Sequence, residues 1–109
     1  MTSGRRLCRL EDIPEGEAKA YRVEGFEYEV FVHRESGGAR AYLNSCPHQG
    51  TPLDWAPDKF IAPDGEHFLC ATHGALFRIE DGVCVAGPCA GARLTSAPIR
   101  LEDGWVVLD

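Results

Sequence analysis

The sequence has no apolar run long enough to cross a bilayer, which leaves no transmembrane helix in its reading. Its first residues carry Arg5 and Arg6 but no apolar stretch before Glu11 and Asp12, so no export or transit segment is visible. A reducing cytoplasm is therefore the expected compartment. Basic clusters are missing too. Lys and Arg number 11 against 17 Asp and Glu, a net charge of −6, which argues against docking on nucleic-acid phosphate. An acidic surface serves solubility or steers the chain to a basic partner, and the composition favours neither. No window of eleven or more residues holds a helical apolar period, and there is no internal repeat or low-complexity tract. The carboxylates form no paired arrangement of the kind acid–base catalysis uses. Cysteine is present but odd in number: Cys8, Cys46, Cys70, Cys84 and Cys89. Without an export signal that count does not read as a disulfide scaffold; it points to metal binding, redox chemistry or burial.

The 109 residues fit one domain, 1–109. A chain of this size buries roughly 65% of the surface it exposes unfolded, enough for one modest core. The apolar residues fall in short segments punctuated by Gly, Pro, Asp and Asn, which predicts an all-β fold. Strands are expected over 28–32 and 41–43, joined by the turn Glu35-Ser36-Gly37-Gly38. Residues 75–79 should pair with 83–85 across Glu80-Asp81-Gly82, and 98–101 with 105–108 across Glu102-Asp103-Gly104. A strand over 67–69 runs into Cys70, and residues 10–14 suit one short turn. The stretch 50–66 holds Pro52, Pro57 and Pro63 and is expected to be loop.

Two motifs carry the chemistry. Cys46-Pro47-His48 and Cys70-Ala71-Thr72-His73 each place a thiol and an imidazole within a few residues, and each enters a Gly-containing turn. Short loops at strand ends can aim two such donors at one centre. Two Cys and two His fit a zinc ion or a two-iron cluster. Structural zinc sites usually group Cys with Cys and His with His. Here each loop carries one of each, which two irons explain better: both cysteines on one iron, both histidines on the other.

On these residues the chain resembles the Rieske ferredoxin family. The matching stretches are Cys46-Pro47-His48-Gln49-Gly50 with Pro52-Leu53 after it, and Cys70-Ala71-Thr72-His73-Gly74 with Phe77 after it. A third, Ala86-Gly87-Pro88, is similar to the family's proline loop over the cluster. The resemblance implies one Rieske-type [2Fe–2S] cluster held by Cys46, His48, Cys70 and His73. It also implies an antiparallel β-sandwich-like base in two layers, with a cluster-binding subdomain over about 45–88. The function it implies is that of a one-electron carrier between a flavin-dependent reductase and a terminal oxygenase, with no small-molecule substrate of its own. A small subunit of an assimilatory nitrite reductase and a structural zinc module are the competing readings.

The resemblance also bears on potential. High-potential relatives carry a cysteine pair where this chain has Thr51 and Thr72, and hydroxyls where it has Ala75 and Phe77. With no disulfide and neither hydroxyl, the lower part of the range of about −150 to +300 mV is expected. One departure stands out. The gap from His48 to Cys70 is longer than usual for these ferredoxins, and the extra residues are expected in a surface loop over 55–66. Cys84 and Cys89, which flank Gly87-Pro88, read as small apolar packing near the proline loop ahead of a second redox pair or a reactive thiol, and Cys8 reads as buried filling in a first strand. His33 and His67 read as surface or edge residues, Trp105 as core, and Trp55 as a residue of the long loop whose functional reading is a docking aromatic.

Overall fold

A computed structural model describes residues 4–35, 37–47, 52–54, 56, 58–70 and 74–109. Within them β1 (Arg5–Arg9) leads through a single 3-10 turn (Leu10–Asp12) to β2 (Ala18–Tyr21), β3 (Val30–Glu35) and β4 (Gly38–Leu43). After a long connection come β5 (His67–Cys70), β6 (Ala75–Arg78) and β7 (Cys84–Ala86). The chain ends in β8 (Ile99–Glu102) and β9 (Trp105–Leu108). The expected hairpins are present, although the first is shifted: its leading strand runs from Val30 to Glu35.

The strands form three antiparallel sheets among the described residues, ordered β1-β9-β8, β2-β3-β4 and β5-β6-β7. The first two are the two antiparallel layers expected for the base, and the third, β5-β6-β7, falls within the 45–88 stretch. The strand β3 lies between two cores. Side chains alternate faces along a strand, and β3 is apolar on both. Phe31 enters one buried cluster with Phe60, Phe68 and Phe77. Val30 and Val32 enter another with Ile13, Val106 and Leu108. The sheet containing β3 is thus a wall shared by two cores, and the cysteine motifs lie on the Phe31 side.

Turn chemistry sets the hairpins. Asp103 and Gly104 both have positive φ (52° and 83°), the two-residue turn whose twist matches the strands it joins. Trp105, expected in the core, is half-buried instead, and the guanidinium groups of Arg6 and Arg9 lie over its ring, 4.8 and 5.2 Å from its centre. The following Val106, Val107 and Leu108 are buried.

The segment expected as a free surface loop is fastened instead. Phe60 is fully buried and stacks on Phe31 with ring centres 4.4 Å apart. Burying such a ring is worth about 1.5–3 kcal/mol. The Leu69 amide donates to the Phe60 carbonyl (2.8 Å), the Ala62 amide donates to that of His67 (2.8 Å), and the Ala20 amide of β2 donates to Asp58 (2.8 Å). The extra residues therefore cover an edge of β2 and add an aromatic ring to the core. Trp55 lies outside the described residues.

Candidate metal centre

The first motif leaves the end of β4. Asn44 follows that strand and is buried, with each side-chain group engaged. Its Oδ1 accepts the Leu53 amide at 2.8 Å, while its Nδ2 donates to Asp54 (3.1 Å) and Glu29 (3.4 Å). Its backbone amide donates to the Glu29 carbonyl at 2.7 Å. One side chain thus ties the start of the Cys46 loop to its end. Cys46 and Leu53 are both fully buried.

The second motif leaves β5 at Cys70, also fully buried. The Gly74 amide returns to the Cys70 carbonyl at 2.8 Å, and Gly74 has φ +70°, so the chain reverses into Ala75, the register partner of Cys70. Alternation along β5 and β6 buries Phe68, Cys70, Ala75 and Phe77 on one face. The third loop closes on this turn. Gly87 has φ +99°, and a Cβ there would sit 2.7 Å from the Ala75 Cα. Only glycine lets the Ala86-Gly87-Pro88 segment approach so closely.

Cys46 and Cys70, from separate loops, belong to one buried apolar cluster, which also holds Leu53, Phe68, Phe77, Cys84 and Cys89. A buried thiol is stable in its protonated form, so burial alone selects no metal; two thiols brought from separate loops into one cluster are soft donors of the kind an iron–sulfur cluster takes. The donor chemistry fits iron. His48, His73, Thr51 and Thr72 lie outside the described residues, so two of the four expected donors do as well. Among the described residues no three His, Cys, Asp or Glu side chains meet as a metal site. Ala75 and Phe77 offer no side-chain hydrogen-bond donor.

Three features were missed from the sequence. The first is Asn44, whose signal was a carboxamide directly between a strand and a ligand motif. The second is the contact between Cys89 and Cys84, whose sulfurs lie 3.1 Å apart. Burial, then the Cys84 thiol and then the Cys46 thiol, push the Cys89 thiol up to about 12. The third is His33, expected at the surface but only 5% exposed. Its ring stands edge-on to Phe68 with centres 5.6 Å apart. Its Nδ1 has no hydrogen-bond partner among the described residues, and Glu35 stands 4.0 Å off. Burial holds the imidazole below its usual pKa. His67 agrees with its reading as an edge residue and bonds Asp64 at 2.8 Å.

Thiol donors set this way in an all-β frame describe a small iron–sulfur domain. The model of the Rieske [2Fe-2S] domain matches residues 5–100, and the chain belongs to that family. The cofactor of that family is one Rieske-type [2Fe–2S] cluster. Among solved structures the chain is similar to the Sphingomonas yanoikuyae B1 ferredoxin, with a TM-score of 0.79, 29% identity and 98% of each chain covered. It also shares the fold of the ferredoxin of carbazole 1,9a-dioxygenase from Nocardioides aromaticivorans IC177. There the TM-score is 0.78 at 21% identity, over 98% of this chain and 97% of that one. Oxidoreductase NdmD of Pseudomonas putida is 26% identical over 107 residues. The chain spans 17% of the length of that relative. No helix among the described residues is long and apolar enough to cross a membrane.

Proposed function

We propose that Cys46, His48, Cys70 and His73 hold the [2Fe–2S] cluster and that the chain is a low-potential, one-electron carrier. Its electron would come from a flavin-dependent reductase and go to a terminal oxygenase, in the cytoplasm. The observation that carries this reading is the burial of Cys46 and Cys70, from two loops, in one apolar cluster beside a wall of Phe rings. The solved relatives described as ferredoxins support it, the Sphingomonas protein at nearly its full length.

Held by these residues, a [2Fe–2S] cluster would supply one-electron redox chemistry with no bond making in the protein. The chain's own residues set the conditions. Asn44 and the Gly74 turn hold the two thiols on rigid strand ends, so little reorganises when charge changes. Leu53, Phe68 and Phe77 keep water away from the cysteine side. Ala75 and Phe77 withhold hydrogen bonds, which leaves added negative charge poorly stabilised and the potential low. A net charge of −6 would steer encounter with a partner that carries a basic docking patch.

The test is a reconstituted relay: a flavin-dependent reductase with its pyridine nucleotide, this chain and a ring-hydroxylating oxygenase. The visible bands of the chain should bleach with reductase alone and return when the oxygenase and its substrate turn over under oxygen. A colourless zinc-loaded chain, or bands that no flavin-dependent reductase bleaches, contradicts the reading.

A further inference from the structure

Cys84 and Cys89 lie outside the four expected ligands, and their sulfurs are in direct contact. Cys84 opens β7 and Cys89 sits on the turn that follows it. Three backbone bonds fix the two against each other. The Cys84 amide donates to the Ala92 carbonyl at 2.8 Å, the Gly91 amide donates to the Cys84 carbonyl at 3.0 Å, and the Ala92 amide donates to the Cys89 carbonyl at 2.9 Å. The Cys89 thiol donates to the Cys84 sulfur at 3.1 Å, and Cys84 donates to the Ala86 carbonyl at 3.1 Å.

Plain apolar filling accounts for burial but not for this arrangement. Two thiols placed only to fill space need not face each other. These do, on a turn whose Gly87, Pro88 and Ala90 are exposed on both sides of Cys89. A disulfide has an S–S bond of about 2.04 Å, so the sulfurs need close by only about 1 Å.

We propose that Cys84 and Cys89 form a reversible dithiol–disulfide site that reacts with small disulfides of the glutathione class. The Cys89 sulfur, the less buried of the two at 7% against 2%, attacks one sulfur of the small disulfide and releases one small thiol. The Cys84 sulfur then attacks the Cys89 sulfur of the mixed disulfide and releases the second. Two protein thiols become one Cys84–Cys89 bond, one small disulfide becomes two small thiols, and the two protein thiol protons leave on them. Two electrons pass from the protein to the small disulfide.

The test treats the purified, coloured protein with oxidised glutathione under anaerobic conditions, alkylates all remaining thiols and digests with trypsin. Cleavage after Arg78 and Arg93 puts both cysteines on one peptide, 79–93. That peptide should be two hydrogen masses lighter and unalkylated while the visible bands persist, and a thiol reductant should reverse the change. In Cys84→Ser the same peptide should never lose the two hydrogens. The proposal is overturned if the peptide stays doubly alkylated. It is equally overturned if one cysteine keeps a glutathione without closure, or if closure follows only after the colour is lost. If the purified chain carries no iron, the iron-binding reading fails by itself, and peptide 79–93 still decides on the dithiol.

Discussion

The Asn44 Oδ1 accepts the Leu53 amide at 2.8 Å, and this bond closes the loop that carries Cys46. Both groups are buried, so breaking the bond leaves an amide without water or partner. Asn44→Ala should cost about 1–3 kcal/mol. It should also lower the iron retained per chain, because the loop then opens around Cys46. Urea unfolding and iron analysis check this together. Asn44→Asp should not restore stability, since its second carboxylate oxygen would face Asp54 and Glu29. Full iron occupancy in Asn44→Ala would show that the clamp does not position the loop.

Gly87 and Gly91 offer a matched pair on the same turn. Both have positive φ, +99° and +94°, so either alanine loses about 1–2 kcal/mol to backbone strain. A Cβ on Gly91 meets nothing within 4 Å, whereas one on Gly87 sits 2.7 Å from the Ala75 Cα. Gly87→Ala should therefore be worse by a further 1–3 kcal/mol or so. Unfolding midpoints of the two variants side by side give the answer. Equal losses would mean that the third loop does not press on Ala75.

His33 should make stability depend on pH. Its folded pKa lies below the ordinary 6.5 because burial disfavours the charged ring. The unfolded chain then binds more protons than the folded one at acid pH. The contribution is fully present above about 6.5 and is lost as pH falls below it toward the folded value. Glu35 opposes the shift but at 4.0 Å does not cancel it. His33→Phe keeps a ring against Phe68 and has nothing to protonate. Measured by urea unfolding, the wild type should lose stability relative to this variant between pH 7 and 5. Parallel curves would contradict the assignment.

Phe77 sets a prediction for potential. Phe77→Tyr restores the hydroxyl that high-potential relatives carry by resemblance. One added hydrogen bond of about 1 kcal/mol corresponds to roughly 40 mV for a one-electron couple. The midpoint in a redox titration should rise by about that much, from a wild-type value in the lower part of the Rieske range. A wild-type midpoint well above zero would remove the premise.

Much of this was legible because it is local. Glu80-Asp81-Gly82 and Glu102-Asp103-Gly104 marked their hairpins, since turn chemistry acts over a few residues. The two Cys/His motifs are local in the same sense, since each spans only a few consecutive residues. What remained hidden depends on distant partners. The pattern of β3 showed apolar residues but not that separate sheets cover its two faces. His33 looked like a strand end because nothing nearby in sequence announces Phe68 above it. Phe60 sat among prolines in a stretch without period, and only Phe31, 29 positions earlier in the sequence, explains its burial.

The central claim is mixed Cys/His ligation of two irons. Electron paramagnetic resonance of the dithionite-reduced protein tests it most directly. Two thiols on one iron and two imidazoles on the other predict a rhombic signal with a low average g value, present in the wild type and lost in Cys46→Ser or His73→Ala. A silent spectrum from a fully metallated protein, or a signal unaffected by those substitutions, would contradict it.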